Sequence, residues 1–151
     1  MMAIEAILII VTGLAPFFLL YGLIVGMADK LKILIVDDET ALADSISSYL
    51  RLKGHDVKVI SDSEQVIRHI TEGQYENRYD VLLLDIFMPG LEGIELIQMI
   101  RRALVYTKII VMSGFTERNG KPLSDLVEEY EVAAVMKKPF KAKELLQFIE
   151  N

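Results

Sequence analysis

Val81-Leu82-Leu83-Leu84-Asp85 sets four apolar residues in an unbroken row and ends them on a carboxylate. A strand with one wet face alternates apolar and polar side chains. A row without alternation fits a strand covered on both faces, as in a parallel sheet packed between helices. A buried charge without a partner is expensive, so Asp85 is hard to read as a bystander.

The flanking sequence repeats the same unit. Upstream, Leu31-Lys32-Ile33-Leu34-Ile35-Val36 is β-rich and ends in Asp37-Asp38. Thr40 to Leu52 has helical spacing, with Leu42, Ile46, Tyr49 and Leu50 on one side, and Gly54 stops it. Val57 to Ile60 reads as a second strand, followed by a helix from Ser63, its expected cap, to about Glu72. Downstream come a helix over 93–102, a strand over 108–112, and a polar loop through Asn119-Gly120. A short helix near 124–130, a fifth strand over 133–136 and a last helix over 141–150 complete the chain. Five β-α units without tandem hairpins imply a parallel sheet with helices on both faces.

In such folds ligands sit at the carboxyl ends of the strands. Strand one ends in Asp37 and Asp38, strand three in Asp85, strand four in Ser113, and strand five in Lys138 before Pro139. Topology therefore gathers three carboxylates, a hydroxyl and an ammonium on one edge. Alone, Asp37 or Asp38 would pass for a helix cap and Ser113 for a turn residue. Three close carboxylates repel one another, and a divalent cation relieves that conflict. Oxygen donors without His or Cys point to Mg2+. Asp is a phosphoryl nucleophile, and Lys138 and Ser113 suit the oxygens of an anionic phosphoryl group. Strand alternation sends the adjacent Lys137 to solvent. His55 and His69 lie in polar surroundings and read as surface residues.

The stretches Ile35-Val36-Asp37-Asp38-Glu39, Leu84-Asp85-Ile86-Phe87-Met88-Pro89-Gly90, Val111-Met112-Ser113-Gly114 and Lys138-Pro139-Phe140 resemble the four signature segments of response-regulator receiver domains. They stand in that family's order and at similar separations, and the resemblance covers about residues 30–151. It implies a flavodoxin-like α/β fold with strand order 2-1-3-4-5 and a cis Lys138-Pro139 bond. It also implies Asp85 as the phosphoacceptor. Asp38 would bind Mg2+ directly, Asp37 mostly through water, and the backbone carbonyl of Phe87 would be a further ligand. Ser113 and Lys138 would contact the phosphoryl oxygens. The chain is then no ordinary enzyme but a phosphoacceptor that catalyses its own phosphorylation and slow dephosphorylation. A sensor histidine kinase or histidine phosphotransfer protein would be the donor and a protein the downstream target. With no further domain after Asn151, output would come from the fourth helix, fifth strand and fifth helix.

Two departures from the family pattern matter. Val135 stands where many receivers carry an aromatic switch residue, so the signal is expected to travel by loop and helix shifts. Phe87 and Phe115 occupy the two positions that tune hydrolysis of the phosphoform. Neither side chain can orient a water, so a phosphoform lasting minutes or more is expected. Three other functions compete. A hydrolase would need a second Asp where Phe87 stands. A pseudo-receiver docking without phosphorylation would not need the full acidic set. A flavin-binding domain would need a loop shaped for a phosphate tail.

Composition divides the chain. Of its 151 residues 52% are hydrophobic, and the excess lies at the start. Ala6 to Met27 carries no charge over 22 residues, which spans about 33 Å as a helix, close to a bilayer core of roughly 30 Å. The expected organisation is a transmembrane helix and linker over 1–29, then the globular domain over 30–151. Lys30 and Lys32 follow the run and only Glu5 precedes it, so the domain should face the cytoplasm. The residues before the run lack the positive region of a secretory signal. Translation from Met27 would instead give a cytoplasmic domain. Gly22 and Gly26 have the spacing that lets two such helices approach, which would allow a homodimer. Net charge is −6 and no basic stripe stands out, so nucleic acid is not an expected partner. The absence of cysteine excludes disulfides and thiolate-bound metals.

Overall fold

The computed structural model describes residues 30–72, 78–90, 93–103, 106–118 and 120–150. The chain divides into two units, Met1–Lys30 and Leu31–Asn151. The expected membrane-spanning segment over residues 6–27 lies outside the described residues. Among the described residues, no helix is long and apolar enough to cross a membrane.

Five strands, β1 (Lys32–Val36), β2 (Asp56–Ile60), β3 (Val81–Asp85), β4 (Lys108–Ser113) and β5 (Ala134–Lys137), form one sheet in the order β2-β1-β3-β4-β5. All four ladders are parallel. The helices are α1 (Thr40–Leu52), α2 (Ser63–Glu72), α3 (Gly93–Ala103), α4 (Leu123–Val127, continued by a 3-10 turn over Glu128–Tyr130) and α5 (Ala142–Glu150).

β3 is buried along its whole length, as its unbroken apolar row requires. Side-chain alternation splits the core in two. Leu82 and Leu84 join Leu34, Val36, Ile109 and Val111 beneath α2, α3 and α4. Val81 and Leu83 join Ile33, Ile35, Ile110 and Met112 beneath α1 and α5. Each such side chain contributes about 1.5–3 kcal/mol of burial, so the middle strands are the most firmly fixed part of the sheet. Their carboxyl ends inherit that rigidity.

Helix ends follow local chemistry. α1 closes where Gly54 adopts φ 99° and its N–H donates to the Arg51 carbonyl, a conformation glycine takes without strain. The cap of α2 is Asp62 rather than the expected Ser63. Its Oδ1 accepts from the Gln65 N–H at 2.8 Å, while the Ser63 hydroxyl donates to the Pro89 carbonyl. The fifth strand runs one residue later than its apolar pattern indicated, because its ladder pairs Ser113 with Lys137.

The loop after β4 folds more than its polar sequence suggested. Glu117–Arg118 and Lys121–Pro122 form a two-residue antiparallel ladder. The segment after α4 is clamped by Arg101, whose guanidinium donates to the carbonyls of Tyr130, Thr107 and Glu131 at 2.6–2.8 Å.

The two histidines correct the sequence reading. His55 is buried at 5% exposure; its Nδ1 accepts from the Leu31 N–H and its Nε2 lies 3.9 Å from Glu150 Oε1. His69 is half-buried between Lys58 Nζ on Nδ1 (3.2 Å) and the Tyr79 hydroxyl on Nε2 (2.7 Å). Their sequence neighbours are polar, but the ends of β1 and α5, and the segment before β3, cover them.

Candidate functional site

The register carries the strand ends to one edge: Val36 lies beside Leu84, Asp85 beside Met112, and Ser113 beside Lys137. Asp37 is fully buried, Asp85 is 8% exposed, and Asp38 is exposed. One oxygen from each of the three carboxylates lies within 4.8 Å of the others.

Lys138 joins the two buried members. Its Nζ donates to Asp37 Oδ2 and to Asp85 Oδ2, each at 2.7 Å, and lies 3.9 Å from Glu39 Oε2. The second oxygen of each buried carboxylate accepts a backbone N–H two residues on: Glu39 to Asp37 at 2.9 Å, Phe87 to Asp85 at 2.8 Å. Both carboxylates are thus fixed in orientation as well as paired.

Charge is not balanced. Among the described residues, the three clustered carboxylates and Glu39 face the Lys138 ammonium. Burial pushes the Asp37 carboxyl above its ordinary value, and the hydrogen bonds from Lys138 and the Glu39 amide only partly offset this. Burial works against the Lys138 ammonium, but its bonds to Asp37 and Asp85 outweigh that and hold its pKa above the ordinary value. The ammonium therefore stays charged at neutral pH. An all-oxygen cluster with this surplus of negative charge fits a hard divalent cation such as Mg2+.

Ser113 reaches the edge with its hydroxyl occupied. It is fully buried, donates to the Phe115 carbonyl at 2.7 Å, and accepts from the Phe115 N–H at 3.0 Å. Phe87 and Phe115 meet edge to face, centroids 5.4 Å apart. The Arg118 guanidinium lies 6.0 Å over the Phe87 ring. The Lys138-Pro139 peptide is cis, and Lys137 is exposed as alternation required.

The expected residues Asp37, Asp38, Asp85 and Lys138 are therefore brought together, with Ser113 on the same edge but turned to its own loop. Sequence reasoning passed over Glu39 and Arg118. Glu39 was visible as the third acid of the Asp37-Asp38-Glu39 run; nothing local to Arg118 signalled its place over Phe87.

A family model for the response regulator receiver domain matches residues 33–150. The chain belongs to that family. Accepting a phosphoryl group on an aspartate and thereby regulating a partner is the general function of receiver domains. The receiver is similar to the DNA-binding response regulator MtrA of Mycobacterium tuberculosis, 34% identical over 117 residues that make up 76% of this chain and 47% of MtrA. The chain spans about half the length of the curated relatives it matches.

Among solved structures, the receiver is similar to a CheY-like receiver domain protein from Methanospirillum hungatei, with TM-score 0.69 and 26% identity, covering 80% of this chain and 91% of that one. It is also similar to the response regulator TrrA from Thermotoga maritima in complex with Mg2+ and BeF, with TM-score 0.63 and 26% identity, covering 78% and 94%.

Proposed function

We propose that Asp85 is the phosphoacceptor of this receiver and that a sensor histidine kinase or a histidine phosphotransfer protein is the donor. A carboxylate oxygen of Asp85 forms the new bond to phosphorus. The phosphorus–nitrogen bond of the donor phosphohistidine breaks, and the departing imidazole takes up a proton. Lys138 neutralises charge on the phosphoryl oxygens, and Ser113 donates a hydrogen bond to one of them.

Asp37, Asp38, Asp85 and the backbone carbonyl of Phe87 would hold Mg2+, Asp38 directly and Asp37 mostly through water. When bound, the ion shields the attacking carboxylate from the anionic phosphoryl group. The observation that carries the reading is the sharing of Lys138 by Asp37 and Asp85 inside one three-carboxylate cluster.

The downstream partner is a protein that reads the face of α4, β5 and α5. The charge-free run over 6–27, followed by Lys30 and Lys32, supports a membrane anchor over 1–29 that holds the receiver of 30–151 on the cytoplasmic side. Tethering raises its effective concentration near a membrane kinase.

Acetyl phosphate with Mg2+ tests the reading. The natural chain should gain one phosphoryl group by intact mass and hold it for minutes or more, and Asp85→Asn should gain none. Equal labelling of both chains would refute it. Recovery of the full chain with membranes tests the anchor.

A further inference from the structure

Ser113 can act on a phosphoryl group only by letting go of its present partner. A hydroxyl has one proton to donate, and that of Ser113 goes to the Phe115 carbonyl at 2.7 Å. A charged phosphoryl oxygen on Asp85 is the stronger acceptor. Turning to it would free the Phe115 carbonyl and with it the backbone of Phe115.

Beyond that point the loop is tied to itself. The Leu123 N–H donates to the Thr116 carbonyl at 2.8 Å, and the two-residue ladder lies between them. A rotation is therefore concentrated at Gly114 and Phe115. Gly114 is exposed, with open space where a side chain would stand.

Phe115 is 65% exposed, and its ring meets that of Phe87 edge to face. A cleft of about 330 Å3 opens beside it, with Pro122, Leu123 and Val135 as its apolar wall and Glu117, Ser124 and Lys137 at its polar rim. A space of about 150 Å3 suffices for benzene, so the cleft has volume for a benzyl group against its apolar wall. Val135, on β5, forms part of that wall with a side chain smaller than a phenyl ring.

We infer that Phe115 is the aromatic switch of this receiver. When Ser113 turns to the phosphoryl group, the Phe115 ring leaves Phe87 and enters the cleft over Val135, between the loop and β5. The inference rests on the reading of Asp85 as the phosphoacceptor. It places the moving ring on the loop after β4 rather than on the fifth strand.

The chain contains no tryptophan, so Phe115→Trp supplies a sole indole reporter in the full chain. On treatment with acetyl phosphate and Mg2+, with uptake of one phosphoryl group verified by mass, its emission should shift to shorter wavelength and its quenching by acrylamide should fall. Adding Ser113→Ala, or filling the cleft with Val135→Phe, should abolish the shift in chains that still take up the group. Emission that stays put in a phosphorylated chain overturns the inference and leaves the phosphoacceptor reading intact. A shift that survives Ser113→Ala overturns the link to Ser113. Failure of the chain to take up the group removes both readings. Should Phe115→Trp not fold, fluorophenylalanine incorporated into the natural sequence, with the Phe115 resonance assigned through Phe115→Leu, gives the same readout by NMR.

Discussion

Replacing Lys138 by Met removes an ammonium that Asp37 and Asp85 share at 2.7 Å each. Breaking a buried ion pair by deleting one partner costs about 3–5 kcal/mol, because the remaining charge is left without compensation. Here the lower end applies: the Lys138 side chain keeps 12% of its exposure and that of Asp85 10%, so water reaches part of the gap. A loss of about 3 kcal/mol is expected without divalent ions. At roughly 4 °C per kcal/mol for a domain of this size, the midpoint of thermal unfolding should fall by about 12 °C. Two conditions should restore stability. Mg2+ can supply the missing positive charge, so it should stabilise Lys138→Met more than the natural chain. Low pH should also help. Burial already raises the Asp37 carboxyl, and Lys138 provides two of the influences that restrain it. Without Lys138 the folded form takes up a proton more readily than the unfolded form. The variant should then gain stability relative to the natural chain as pH falls toward the ordinary carboxylate range. Urea unfolding at several pH values, with Mg2+ and with EDTA, measures all of this. An unchanged midpoint in EDTA at neutral pH would show that the pair does not hold the site together.

Other consequences follow from single positions. A Cβ on Gly93 would overlap the backbone carbonyl of Ile86, and backbone cannot swing aside as a side chain can. Gly93→Ala should therefore lose about 2–3 kcal/mol in urea unfolding, and a loss below the error of the method would contradict the placement of α3. His69 is pushed below the ordinary imidazole value of 6.5 by burial first, then by Lys58 and Lys32. Its folded form thus binds protons less readily than its unfolded form. Its contribution to stability should be complete above that value and be lost as pH falls through the lowered one. The stability of His69→Gln should vary less with pH over that window, and identical pH profiles would refute the assignment.

The sheet was legible because both of its signals are local. An apolar row such as Val81 to Leu84 tells of burial on two faces without knowledge of what covers it. The polar residue that follows each row then falls on one edge by topology. That sufficed to assemble Asp37, Asp38, Asp85 and Lys138, even though the last strand runs one residue later than expected. Where residues distant in sequence decide the outcome, the reading failed. His55 has polar sequence neighbours, yet Leu31 and Glu150 close over it. The ladder after β4 is two residues long, too short to leave a periodic pattern. The bond between Ser113 and the Phe115 backbone depends on a turn that residue types alone do not specify. Arg101 shows the same limit, since what Thr107, Tyr130 and Glu131 offer it are backbone carbonyls that any sequence would provide.

On the proposed function, one carboxylate, at the end of the third strand, becomes the acyl phosphate. Borohydride reduces an acyl phosphate to the alcohol, which marks the modified residue permanently. Peptide mass mapping of the treated, Mg2+-phosphorylated chain should find homoserine at position 85 and aspartate still at 37 and 38. Homoserine at either of those two positions, with 85 untouched, would contradict the account.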